Sequence, residues 1–233
     1  MVAAVTREVR STTVLLVGAM LVKLSISGAY ARYVRAGMGL WLLVAGILLA
    51  GVGLVGVWQA LAGHGHDDHH HGHRHNDRIG WLLLAPVLAL LLVTPPSLGS
   101  FGVSRSTGVT VTSGGKVFTD LRPGGTAAMT LLEFDERAAD HDGASFKSVP
   151  VKLTGFVSKT RDGAGFQIAR FQIACCAADA VAYAVRVTGT AGSPPPRDQW
   201  VTVTGTFHPS ADGLPELRAT GLDEIPAPRD PYE

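Results

Sequence analysis

Long apolar runs dominate the first hundred residues of the chain and do not recur after them. Three runs, at about 11–31, 36–62 and 79–101, are each long enough to cross a bilayer as a helix, which takes about 20 residues. The second and third runs contain no charged residue, and Pro95-Pro96 marks the end of the third. Because backbone polar groups in lipid must be satisfied within their own segment, the pattern predicts three transmembrane helices.

The first apolar run has two interpretations. Arg7 and Arg10 before it and Ala29-Tyr30-Ala31 at its end are typical of a cleavable signal peptide. Lys23 lies late in the run, which is unusual for such signals, so we expect a retained helix. A charge inside a span is costly unless it is paired or reaches the interface. Snorkelling to a lipid headgroup and contact with a partner subunit would each satisfy Lys23.

Arginines beside the apolar runs carry a small orientation signal. With the N-terminus inside the cell, four arginines flank the inner side and three the outer side. The positive-inside rule then places the loop 63–78 in the cytoplasm and the C-terminal domain outside. A high content of Arg, Ala, Gly and Val fits a GC-rich bacterial genome, so we expect a multi-pass protein of a bacterial plasma membrane.

The spacing of polar residues changes after the transmembrane domain, which we place at 1–101. Residues 102–125 are rich in Gly, Ser and Thr and predict a flexible connector. Residues 126–233 predict a soluble β-rich domain that begins with a helix at 127–137 and continues with an alternating, strand-like pattern. The predicted strands are 149–158, 166–175, 182–190, 200–208 and 216–225. Five short strands favour a small OB-like barrel, and a five-stranded sandwich fits nearly as well.

Charge and motifs narrow the classes of function. The formal net charge of +1 offers no basic face for phosphates, so we expect no nucleic-acid partner. The sequence contains no nucleotide-binding loop, no Gly-x-Ser-x-Gly elbow and no His-Glu-x-x-His motif. It also lacks the Cys-x-x-Cys of a thiol oxidoreductase. We therefore expect a protein that is not an enzyme and has no catalytic residues.

The loop 63–78 between the second and third runs is the densest chemical signal. Imidazoles bind zinc and similar divalent transition metals, and nearby carboxylates raise the local cation concentration. A flexible loop of this kind suits weak, exchangeable capture better than one rigid site, and a merely solubilising loop is the alternative. The candidate ligands are His64, His66, His69, His70, His71, His73, His75, Asp67 and Asp68.

A second candidate metal site contains the two cysteines of the chain, Cys175 and Cys176. Neighbouring cysteines make no disulfide framework, because closing a ring between them distorts the peptide bond that joins them. On a strand their side chains would point to opposite faces, so both line one surface only if the strand ends there. With Asp179, and with His208 or His141 as further donors, they would then bind a soft metal through thiolates. The alternative is one buried small side chain and one half-exposed thiol.

Short motifs along nearly the whole chain carry a resemblance to a known family. The most specific is the stretch from Phe166 to Asp179 with its Cys-Cys-Ala-Ala-Asp core. The sequence is similar to the YcgQ-like family of bacterial membrane proteins of unknown function, described as permease subunits. The other matching motifs are Lys23-Leu24 with Gly28 and Tyr33, Pro95 to Ser100, Gly155-Phe156-Val157, Trp200-Val201 with Val203 and Gly205, and Pro228 with Pro231-Tyr232.

The resemblance implies an accessory subunit beside a larger multi-span permease. It adds weight to a role for Cys175, Cys176 and Asp179, although the family has no established catalytic residue to carry over. We therefore expect a non-catalytic subunit that contacts membrane lipid and a permease and handles a transition metal such as zinc. The alternative is a structural membrane protein whose OB-like domain only scaffolds the permease.

Overall fold

A computed structural model describes residues 2–62, 97–103, 105, 118–160, 165–190, 192–210 and 213–233, with Ala89 and Leu92 as isolated positions. The chain divides into two compact units, Met1–Pro96 and Ser97–Glu233.

The N-terminal unit contains two long helices within residues 2–62, α1 (Val2–Ser27) and α2 (Gly39–Leu61). Gly28, at φ 73°, ends α1 in the left-handed conformation that favours glycine, and two short 3-10 helices, Ala29–Arg32 and Ala36–Met38, lead to α2. Val9–Ser27 and Ala36–Leu61 are long and apolar enough to cross a membrane. The third predicted span lies largely outside the described residues, and so does the whole loop 63–78. The structure thus supports two of the three predicted helices.

Glycines let α1 and α2 pack with their backbones in close approach. A Cβ atom added to Gly53 would lie 2.5 Å from the backbone nitrogen of Leu15, and one added to Gly46 would lie 3.0 Å from that of Val22. Neither position has room for a side chain. Small residues at a helix contact are typical of membrane helices, where close packing replaces the hydrophobic effect as the source of attraction.

Within its described residues, the C-terminal unit combines two short α-helices with one sheet. The helices are α3 (Ser100–Val103) and α4 (Leu131–Ala139). Among the described residues the strands are β1 (Ala127–Ala128), β2 (Val151–Lys159), β3 (Phe166–Gln172), β4 (Val181–Thr188), β5 (Trp200–His208) and β6 (Glu216–Ile225). All five predicted strands are present, and no end differs from the prediction by more than three residues.

The sheet is mixed. Its strand order is β1-β2-β3-β4-β6-β5, and β2 also pairs with β5. The β1–β2 and β4–β6 pairs are parallel and the other pairs are antiparallel. Two predictions are corrected: a sixth strand, β1, joins the five predicted, and the helix expected at 127–137 starts at Leu131. It starts there because Thr130 accepts a hydrogen bond from the backbone N–H of Glu133 and caps the helix.

The C-terminal unit has two clusters of buried apolar side chains, and the first lies between the sheet and α4. Phe134 of α4 packs against Phe146 and Phe207, with ring centroids 5.0 and 5.9 Å away. A second cluster around Phe156, Phe171 and Trp200 also takes in Tyr232 near the end of the chain. Strands β3 and β4 contribute side chains to both clusters and form an antiparallel pair. The pairing ends at Gln172, which lies opposite Val181. The residues between them, 173–180, form the loop that carries both cysteines, called the thiol loop below.

Candidate thiol–carboxylate site

The thiol loop brings three predicted ligands together. The sulfur atoms of Cys175 and Cys176 and a carboxylate oxygen of Asp179 all lie within 4.8 Å of one another. Because β3 ends at Gln172, the cysteines lie beyond the strand, and their side chains do not have to point to opposite faces. Cys175 is exposed and Cys176 is partly exposed.

Asp179 shapes the loop through its backbone contacts. One carboxylate oxygen accepts a hydrogen bond from the N–H of Ala174 at 2.9 Å. The other accepts from the N–H groups of Cys175, at 2.9 Å, and Cys176, at 3.3 Å. In return Asp179 donates its own N–H to the carbonyl of Cys176 at 3.0 Å. Cys176 caps the short 3-10 helix Ala177–Asp179, so the loop has the reciprocal arrangement of a capping box.

The same contacts decide where the charge sits. The Cys175 thiol and the three backbone N–H groups stabilise the Asp179 carboxylate and lower its pKa to about 2. The hydrogen bond to Asp179, followed by that to Cys176, raises the pKa of the Cys175 thiol to about 12. At neutral pH the site therefore holds a charged carboxylate and a protonated Cys175. A metal that binds Cys175 must displace this proton, since the thiolate is the ligand.

The other predicted ligands do not join this group. The seven histidines and two aspartates of the loop 63–78 lie outside the described residues. His141 and His208, considered as further donors, have ring nitrogens that bond to the Asp140 carboxylate and the Pro209 carbonyl. Among the residues that the structure describes, the thiol loop holds the one group of three or more potential metal ligands.

Several contacts in the C-terminal unit join segments that are distant in sequence, and the sequence patterns did not indicate them. Arg170 of β3 hydrogen-bonds to backbone carbonyls about 60 residues further along the chain. Ser100, in one of the motifs that carry the family resemblance, donates its N–H and hydroxyl to Asp198. Leu98 donates its N–H to the hydroxyl of Tyr232 at 3.4 Å. Parts of two such motifs, Leu98 and Tyr232, therefore meet on this unit, and only the shared resemblance of the motifs to one family linked them in the sequence.

Most of the C-terminal unit is similar to one known protein family. Residues 137–233 match the family model of the DUF1980 C-terminal domain. The function of that family is unknown. The matched region starts within α4 and includes β2 to β6 with the whole thiol loop. No curated protein and no solved structure matches the chain.

Proposed function

We propose that this chain is a non-catalytic accessory subunit of a membrane permease complex and takes part in handling a transition metal of the zinc type. The observation that carries the proposal is the convergence of Cys175, Cys176 and Asp179 on an accessible loop. Thiolate, carboxylate and imidazole are the ligands that zinc uses in proteins. The site is assembled entirely from residues of the DUF1980 C-terminal domain.

The geometry of the thiol loop favours a metal ion that exchanges readily over one that is held permanently. A structural zinc site has four protein ligands, and the thiol loop offers two sulfurs and a carboxylate. That carboxylate already accepts hydrogen bonds from three backbone N–H groups, so few of its lone pairs remain to bind a metal. Completion of the coordination shell then falls to water or to donors of a partner protein. An ion held by few ligands passes readily to a partner.

The architecture supports the remaining parts of the proposal. The pairings β2–β3, β3–β4, β4–β6, β6–β5 and β5–β2 return to the strand where they began, which is the connectivity expected of an OB-like barrel. The resemblance to the YcgQ-like family supports a larger permease as the partner. Two apolar helices, together with the predicted third span, would anchor the domain at a bacterial plasma membrane.

Zinc binding to the full chain in detergent tests the proposal. Isothermal titration would compare the natural sequence with a Cys175→Ser, Cys176→Ser variant and with a variant whose seven loop histidines are replaced by Ser. We expect the cysteine variant to lose at least about tenfold in affinity at one site, because Ser keeps the size but is a much poorer ligand. His141→Ser, which removes an exposed imidazole outside the group, is the matched control. Unchanged zinc binding in both variants would refute the metal role.

A structural scaffold is the second candidate, and one observation favours it. Asp179 already accepts hydrogen bonds from three backbone N–H groups, as in a loop whose carboxylate only maintains its shape. In that case the Cys175→Ser, Cys176→Ser variant folds, still copurifies with the permease and supports growth under both zinc limitation and zinc excess. Failure of growth with copurification intact would assign the cysteines to metal handling.

A further inference from the structure

Residues 230–233, which we call the tail, lie beside β3 and pair with it through one isolated β-bridge. Tyr232 forms a parallel bridge with Phe171. The N–H of Glu233 donates to the carbonyl of Phe171 at 2.9 Å, and the N–H of Ile173 donates to the carbonyl of Glu233 at 3.4 Å. The tail therefore pairs with β3 up to the first residue of the thiol loop.

Arg170 holds the tail from the side. Its guanidinium donates to three consecutive backbone carbonyls: Asp230 at 3.0 Å, Pro231 at 3.3 Å and Tyr232 at 3.0 Å. A planar fork with five N–H donors can make such a set in one orientation, whereas a lysine ammonium cannot reproduce it. The arginine thus fixes the path of the tail over its whole length.

Glu233 attaches the tail to a second element. Its side chain is 5% exposed, and its carboxylate accepts the N–H of Leu131, at 3.0 and 3.1 Å, and of Leu132, at 3.4 Å. These are the first N–H groups of α4, where a negative charge is favoured. Arg170 lies 3.8 Å from the same carboxylate. The tail therefore fastens α4 to the end of β3.

The tail also accepts one of the backbone N–H groups of the thiol loop. The N–H of Ile173 goes to the tail, and the next three N–H groups, of residues 174–176, go to Asp179. The tail and Asp179 thus satisfy four successive donors between them. We propose that the tail is the positioning element of the thiol loop, with Arg170 and Glu233 as its positioning residues. The tail places the loop in this way whether or not the loop binds a metal.

Hydrogen exchange on the metal-free full chain in detergent tests the inference. The variants are a deletion of residues 230–233, Arg170→Lys, and Glu233→Gln as the conservative change that keeps an acceptor at the start of α4. We expect amides 173–176 to exchange at least about tenfold faster in the deletion and in Arg170→Lys, and to change less in Glu233→Gln. Thr188→Val removes a half-buried hydrogen bond to Glu216 at the other end of β4 and should leave residues 173–176 unchanged.

Exchange at 173–176 that stays at the natural rate in the deletion, with the rest of the sheet still protected, would overturn the inference. If the deletion variant does not fold, Arg170→Lys decides by the same criterion, because it keeps every tail residue. Zinc titration of the unaltered chain is a separate measurement. A chain that binds no zinc but shows the expected exchange would refute the proposed function and leave the positioning role of the tail in place.

Discussion

The two units of this chain distribute the same kinds of side chain in opposite ways. On α2, large apolar groups point outward, with Leu48 65% and Trp58 66% exposed, and glycines form the contact with α1. In the C-terminal unit, large apolar groups such as Phe134 and Leu153 are fully buried, and charged residues lie mainly at the surface. Helix α2 thus exposes apolar side chains and places small residues at its helix contact. The C-terminal unit exposes polar side chains and buries large apolar ones.

This difference indicates two surroundings for one chain. A soluble protein rarely exposes a continuous apolar surface of this kind, whereas helices in lipid do so along their whole length. The C-terminal unit follows the ordinary rule for water. The contrast supports a membrane environment for α1 and α2 on grounds separate from their hydropathy, since the glycine contacts come from packing.

The largest expected effect comes from making a comparable truncation in each unit. Phe134→Ala removes a fully buried ring that contacts Phe146 and Phe207, and we expect it to cost about 3–5 kcal/mol in the unfolding of the C-terminal unit. Leu48→Ala removes an exposed side chain of α2, so we expect less than about 0.5 kcal/mol. Chemical denaturation in detergent, followed by circular dichroism and tryptophan fluorescence, measures both. Equal costs would contradict the contrast between the units.

A smaller effect, on the N-terminal unit, comes from adding volume. Gly53→Leu places a side chain against the backbone of Leu15, and overpacking at a helix contact costs about 1–3 kcal/mol or more. Gly51→Leu is the matched control two residues away, since nothing lies within 4 Å of a Cβ atom added there. We expect Gly53→Leu to lower the thermal stability of the detergent-solubilised protein and Gly51→Leu to leave it unchanged. A loss of stability in both would mean that α2 has contacts on its outer face as well.

Sequence patterns predicted the structural elements that depend on neighbouring residues. They did not predict the contacts that depend on residues distant in sequence. The strands β2 to β6 follow from alternation, and α1 and α2 from long apolar runs, because both signals repeat locally. Cys175, Cys176 and Asp179 were grouped correctly because Asp179 follows within one turn. By contrast, β1 has no signal of its own and exists only because Ala127 and Ala128 pair with β2.

The same reason explains why the sequence did not indicate the long-range polar contacts of the C-terminal unit. Arg170 and the tail are about 60 residues apart, and Ser100 and Asp198 are 98 apart. Each partner is an ordinary polar residue in its local sequence, so no spacing rule connects them. The contacts appear only once the β3–β4 pair and the two core clusters have placed the segments side by side.

The smallest predicted effect concerns the charge of Asp135, whose carboxyl group is partly buried in the C-terminal unit. Asp135 lies on α4, where burial and, after it, the negative charge of Glu136 raise its pKa to about 6 from a usual value of 3.8. Between these two pH values the folded protein holds a proton that the unfolded chain has released. Stability should therefore fall as pH rises from about 4 to about 6 and stay lower above that range.

Asp135→Asn removes this dependence, because an amide does not ionise. We expect the variant to be more stable than the natural protein by about 1 kcal/mol at pH 7.5, a figure that allows for solvent screening of a partly exposed group, and equally stable near pH 4. Asp223→Asn, on the exposed side of β6, should change stability by less than about 0.5 kcal/mol at either pH. Thermal unfolding across this pH range measures the difference. A stabilisation that is the same at both pH values would mean that Asp135 acts through shape or helix propensity and that its charge is already screened by water.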